Sequence, residues 1–170
     1  MPCYEYDDYF IFLVLRDPRR RLVSFYYAWV VLYPPLWCFA DEEKEFSLEN
    51  YTFQEFLVLL LELFSQNIQL QHHLFPQTAD LSDVEFDEVI KLEELNEKIS
   101  AINHRLAIDY PLRSLNTLAH SNTFREEAYH LKPSHLRNEP VYDYASFYNQ
   151  QLDEIVSEIY REDLTLYENL

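Results

Sequence analysis

Arg16, Arg21 and Ser24 are the residues of this chain whose types and spacing best suit chemistry. A guanidinium offers a fork of donors that matches phosphate oxygens, and a nearby hydroxyl adds one more. Their positions depend on the segment that carries them. Phe10 to Leu15 is six apolar residues, β-branched and aromatic enough for a strand covered on both faces. Asp17 can cap a helix, and Pro18 falls where a first-turn residue needs no amide donor. Leu22, Phe25, Tyr26, Trp29, Val30 and Tyr33 then recur at helical spacing as one apolar stripe. At roughly 100° per residue Ser24 lies about 200° from Leu22, facing away from that stripe. Arg16 falls at the carboxyl end of the strand, where open α/β sheets bind ligands, beside a helix N-terminus that favours anions.

Two further groups could move protons. His72 and His73 stand in the stretch Asn67-Ile-Gln-Leu-Gln-His72-His73-Leu-Phe-Pro76-Gln77-Thr78, and a histidine titrates near working pH. Glu93 follows a short apolar run, Val89 to Leu92, that reads as a buried strand turning into a helix. An exposed histidine pair and a helix-start glutamate are also ordinary structural features, and both readings stay open. No third ligand accompanies the histidines at metal-binding spacing, so no metal is expected.

The segment Arg16-Asp-Pro-x-x-Arg21-Leu-Val-Ser24-x-Tyr26 resembles the 3′-phosphate-binding segment of sulfotransferases that use 3′-phosphoadenosine 5′-phosphosulfate (PAPS). It is most similar to their carbohydrate branch, Golgi-type and bacterial. The resemblance implies that Arg16 and Ser24 bind the cofactor's 3′-phosphate, with Arg21 as the motif's second arginine, cofactor-binding or structural. Further matches follow. His72 or His73 with Pro76-Gln77 resembles the family's His-Trp/Phe-x-Pro-Gln loop, with Leu74 in place of the usual aromatic. Asp87-x-Val-x-Lys91-x-Glu93-x-Leu95 resembles a family strand that borders the active site. Pro111 to Thr117 is similar to the Leu-Pro-x-x-Asn-x-Ser segment. Val156 to Glu168 looks like the family's last helix, with Leu166-Tyr167-Glu168 in place of Phe-Gly-Tyr. By this resemblance His72, His73 and Glu93 are the catalytic candidates, and Arg125 and Lys132 are weaker anion contacts.

The composition limits the partners. With 13 Lys+Arg against 30 Asp+Glu the net charge is −17, which argues against nucleic acid and acidic membranes and favours a neutral or weakly charged acceptor. Four of the thirteen cations are Arg16, Arg19, Arg20 and Arg21. No apolar run is long enough to span a membrane, and the N-terminus lacks the basic-then-apolar order of a signal peptide. Cys3 and Cys38 read as two free thiols. The resemblance leaves the compartment open: cytoplasm for a bacterial protein, Golgi lumen for a fragment of a eukaryotic one.

The sequence contains no glycine, where about 12 would be usual. Family members carry a glycine-rich, lysine-containing loop around the 5′-phosphosulfate, upstream of the arginine segment. The chain therefore reads as the later two-thirds of such a domain. The expected fold is one α/β domain over residues 1–170, a partial P-loop-type (nucleotide hydrolase-like) architecture, helix-rich with a small parallel sheet. Two or three strands and five or more helices are expected. An uncovered sheet edge would leave a route to a homodimer or to aggregation. The expected activity is transfer of a sulfuryl group from PAPS to a carbohydrate-type hydroxyl, poor in these residues alone. A nucleotide-binding remnant without turnover, or a designed or drifted helical scaffold without ligand, are the alternatives.

Local signals place the remaining elements. Thr52-x-x-Glu55 is a capping box before Phe53, Phe56, Leu57, Leu60, Leu61 and Phe64. Leu95, Ile99, Ile102 and Leu106 share one face of a helix over 95–108. Residues 117–141 read as a polar loop, and 142–170 as one terminal helix built on Leu152, Ile155, Val156 and Ile159.

Overall fold

The computed structural model describes residues 9–32, 48–68, 72–79, 81, 83–109 and 123–170. Cys3, Tyr33, Pro34-Pro35, Cys38, the acidic run 41–45 and Pro111–Thr117 lie outside them. Two strands form the sheet among the described residues: β1 (Phe12–Leu15) and β2 (Glu88–Lys91), parallel and in register from Phe12↔Glu88 to Leu15↔Lys91. The register makes both carboxyl ends coincide, so Arg16 and Leu92 leave the sheet together. The helix-rich α/β architecture with a small parallel sheet is therefore observed.

β1 differs in one respect from its expected burial on both faces. Only Leu15 is fully buried, and Phe12 is 38% exposed. A two-stranded sheet has too few neighbours to cover a strand on both sides. Its outer edge is partly occupied, however. Gln77 Oε1 accepts from the Arg16 amide at 3.1 Å, and Gln77 Nε2 donates to the Val14 carbonyl at 3.1 Å. A side-chain amide thus pairs with the edge that the sequence left open to a second copy.

Helix α1 (Pro18–Tyr26) is capped by Asp17, whose carboxylate accepts from the Arg19 amide, and it widens into a π-helical segment over Tyr27–Leu32. The stripe Leu22, Phe25, Tyr26 and Val30 is buried as expected. A second stripe, Val23, Tyr27 and Val31, is buried too. This helix is therefore central, with protein on two sides. Phe25 stacks on Phe56 at 5.9 Å, Tyr26 meets Phe53 edge-on at 5.3 Å, and Tyr27 meets Phe147 edge-on at 5.6 Å. Such pairs contribute about 0.5–1.5 kcal/mol each beyond burial.

Helix α2 (Phe53–Ser65) begins at Thr52 with the full reciprocal capping box. It buries Leu63, while Phe64 stays 38% exposed. Helix α3 (Leu95–Leu106) follows β2 through a tight 3₁₀ turn at Leu92–Glu94. Of its expected apolar face only Ile102 is buried, and Leu106 and Ile108 are exposed.

Two expectations are corrected. The stretch 123–141 is no loose polar loop: it holds a 3₁₀ turn (Ala128–His130) and helix α4 (Pro133–Leu136), with Ala128, Tyr129 and Leu136 in the core. These apolar residues are too few and too closely spaced to show a period. The terminal helix is likewise two helices after a 3₁₀ turn at Tyr144–Phe147. Asn149 caps α5 (Gln150–Ile159), and the chain leaves helical dihedrals at Tyr160 before α6 (Arg161–Glu168). Tyr160 Oη donates to the Leu74 carbonyl at 2.7 Å, anchoring the break to the 72–74 turn.

Left-handed backbone, normally glycine's role, falls here to Asn67, Ala107 and Glu127. Ala107 ends α3 at φ 53° and ψ 38°, where its Cβ crowds the backbone. Ala107→Gly is expected to raise stability by about 1 kcal/mol in urea unfolding. An unchanged or lower midpoint would contradict the left-handed cap.

Candidate anion-binding site

The carboxyl ends of β1 and β2 and the N-terminus of α1 meet at one place, and Arg16 and Ser24 meet there with them. Arg16 Nη2 donates to Ser24 Oγ at 2.6 Å. Arg16 leaves the strand tip just before the cap, and Ser24 projects from the helix face opposite Leu22. The pair is partly buried, so it is held by its surroundings yet open to solvent. Burial holds the Arg16 guanidinium below its ordinary pKa; the Glu93 carboxylate acts in the opposite sense, and Arg20 and Arg21 add to the depression.

The four clustered arginines have different partners. Arg19 is bidentate to Asp153, and this contact chiefly raises its pKa. Arg21 points the other way: its Nη2 lies 3.4 Å from the fully buried Asp163, and its guanidinium sits 5.0 Å from the Tyr160 ring centre. Arg20 is exposed, 4.4 Å over the Tyr144 ring, and among the described residues it forms no ion pair. Two positive charges are thus compensated by carboxylates at contact distance, while among the described residues Arg16 and Arg20 are not.

Glu93 is the one catalytic candidate that joins this end of the sheet. Tyr167 Oη, from α6, donates to Glu93 Oε2 at 3.1 Å, and Lys91 Nζ lies 4.9 Å from the Tyr167 ring centre. The histidines lie elsewhere. His73 stacks on Trp29 at 6.1 Å and His72 faces Phe75 at 6.5 Å, both exposed. The part of their loop that reaches β1 is Gln77. Arg125 donates to Tyr142 Oη at 2.8 Å, and Lys132 Nζ is shared between the Asn50 carbonyl and Glu55, so both cations already have protein partners. Among the described residues no group of three or more His, Cys, Asp or Glu is placed to hold a metal, and no helix is long and apolar enough to cross a membrane.

Sequence reasoning passed over Gln77 and Asp163 as site-forming residues. Asp163 accepts from the Gln77 amide at 2.8 Å and from the Thr78 amide and hydroxyl at 2.9 and 2.8 Å. The only sequence signal was their place in the matched segments. An open cleft of about 390 Å³, lined by Leu13, Thr78, Phe86, Glu162 and Leu166 among others, contains none of the candidate residues.

A model of the sulfotransferase family matches residues 3–168. The chain belongs to the sulfotransferase family. Searches of curated proteins and of solved structures returned no match. In this sulfotransferase chain the match runs through both strands, the Arg16–Ser24 contact and both terminal helices. Family membership makes it a transferase by descent, and sulfotransferases generally draw on PAPS and a hydroxyl acceptor.

Burial, with Glu93 next in effect, pushes the Tyr167 phenol up to about 12 from 10.0. A raised phenol pKa means that the neutral Tyr167, in its half-buried place beside Glu93, contributes stability that is fully present below pH 10 and is lost as pH rises through about 12. Ultraviolet titration of Tyr167→Phe is expected to lack one phenolate forming near pH 12. Loss of one forming near 10 would contradict this placement of Tyr167.

Proposed function

We propose that this chain binds PAPS by its 3′-phosphate through Arg16 and Ser24, and that it serves sulfuryl transfer to a neutral, carbohydrate-type hydroxyl. The observation that carries the reading is the 2.6 Å contact between a strand-tip guanidinium and a helix hydroxyl at the sheet's carboxyl end. The donor set fits the group. A guanidinium with no carboxylate at contact distance among the described residues, a hydroxyl and the first turn of a nine-residue helix together favour a dianion. PAPS supplies an activated sulfuryl group whose S–O bond to the 5′-phosphate breaks as a bond to the acceptor oxygen forms. Arg16 and Ser24 would bind and orient from the 3′ side. Arg20 adds positive potential at the mouth. Arg21 neutralises Asp163 and holds the site's frame rather than meeting the phosphate.

For the base, the reading takes His72 or His73, whose place before Pro76-Gln77 resembles the family's His-Trp/Phe-x-Pro-Gln loop. The sulfuryl group is carried on the 5′ side of the nucleotide, away from Arg16, and Glu93 lies toward Arg16. A base at His72 or His73 would take the acceptor proton as the new bond to the acceptor oxygen forms. Glu93 acts instead as a counter-charge to Arg16. The low positive charge elsewhere supports an uncharged acceptor.

No glycine occurs in these 170 residues, so the glycine-rich loop that would hold the leaving phosphate is not among them. Loss of one leaving-group donor costs about 10²–10³ in turnover, and low turnover from this chain alone is part of the proposal. This feature also supports a second reading, nucleotide binding without transfer. A radiolabelled sulfate-transfer assay separates the two.

Calorimetric titration with 3′-phosphoadenosine 5′-phosphate tests the site. A charged hydrogen-bond partner contributes about 1.5–3 kcal/mol, so Arg16→Ala is expected to weaken binding about 10- to 100-fold, and Ser24→Ala by less. Glu93→Gln is expected to tighten binding a few-fold by removing a like charge. Undiminished binding in Arg16→Ala, or weaker binding in Glu93→Gln, would overturn the assignment.

A further inference from the structure

We propose that Gln77 is a positioning residue for Arg16, fixed in turn by the buried carboxylate of Asp163. The inference rests on the reading of Arg16 and Ser24 as ligands of a 3′-phosphate. Three observations carry it. Gln77 pairs with β1 as a neighbouring strand's peptide would, accepting from the Arg16 amide and donating to the Val14 carbonyl, both at 3.1 Å. Asp163 has no exposed surface and spends its lone pairs on the Gln77 amide and on the amide and hydroxyl of Thr78. Arg21 Nη2, at 3.4 Å, supplies the opposite charge that a buried carboxylate requires.

The consequence lies in what Arg16 would be without these contacts. It follows a strand of four residues in a sheet of two, among the weakest frames for holding a side chain. On one side Asp17 fixes the backbone by capping α1. On the other, Gln77 holds the Arg16 amide, so the Cα–Cβ direction is set from both sides and the guanidinium reaches Ser24. The path runs from α6 through the 77–78 turn to the strand tip, across 86 residues of sequence. Of the two turn residues, Gln77 is the one with a described hydrogen bond to Arg16. Thr78 shares the same carboxylate and touches neither Arg16 nor β1 through any hydrogen bond found among the described residues.

That contrast supplies the test. Affinities for 3′-phosphoadenosine 5′-phosphate and for adenosine 5′-monophosphate, measured by calorimetry on the full chain, isolate the contribution of the 3′-phosphate as a ratio. A general loss of structure lowers both affinities; misplacement of Arg16 lowers the ratio. Gln77→Leu is expected to cut the ratio about 5- to 10-fold with the monophosphate affinity unchanged. Should Gln77→Leu fail to fold, Gln77→Glu keeps the shape and the acceptor for the Arg16 amide, removes the donor to Val14, and is expected to act in the same direction. Thr78→Val is expected to lower the melting temperature and leave the ratio within about twofold. Arg16→Ala separates the two levels. If it abolishes the preference and the Gln77 variants retain it, or if Thr78→Val lowers it as much as they do, positioning by Gln77 is wrong and the phosphate site stands. If the wild-type chain shows no preference, or Arg16→Ala retains it, both fall.

Discussion

A carboxylate taken fully out of water must be met by donors and by charge, and Asp163 is such a group. Its requirements organise this structure. Two backbone amides, a hydroxyl and a guanidinium converge on it from the 77–78 turn and from α1, while its own backbone belongs to α6. Elements distant in sequence are thereby fixed around one point, and the strand carrying Arg16 is attached to that point through Gln77. Removing one partner from such a set is far more costly than forming the set was favourable. The aromatic contacts of α1 with Phe53, Phe56 and Phe147 supply bulk burial, and Asp163 supplies register.

Charge is distributed to the same effect. A chain at −17 repels anions on average, so an anion site in it needs a local excess of positive charge. Four arginines within six residues provide that excess, and the fold then divides them. Arg19 and Arg21 are spent on Asp153 and Asp163, where they join α1 to α5 and α6. Among the described residues Arg16 and Arg20 have no carboxylate at contact distance, and they lie at the helix N-terminus, where backbone amides add to the same potential. Glu93, held by Tyr167 on the neighbouring strand's exit, tempers it.

The parts legible in the sequence were those specified locally. The strand–turn–helix around Asp17-Pro18 follows from a cap, a proline and a period, and the Thr52 capping box from two side chains three residues apart. The proximity of Arg16 and Ser24 follows from strand-end and helix geometry over nine residues. What escaped was set by distant partners. Val23, Tyr27 and Val31 form a second buried stripe because the 144–147 turn and α4 pack there. The break at Tyr160 carries no proline or glycine; it is held by a hydrogen bond to Leu74. Asp163 falls four residues after Ile159, on the face of the apolar stripe, but the sequence does not show which partners would meet a carboxylate there, and only tertiary contact shows it as the buried pivot.

A co-crystal structure with 3′-phosphoadenosine 5′-phosphate addresses the central claim most directly. The 3′-phosphate should lie within hydrogen-bond reach of both the Arg16 guanidinium and the Ser24 hydroxyl, over the first turns of α1. A nucleotide bound elsewhere, with the Arg16–Ser24 contact intact and solvent in front of it, would contradict the account.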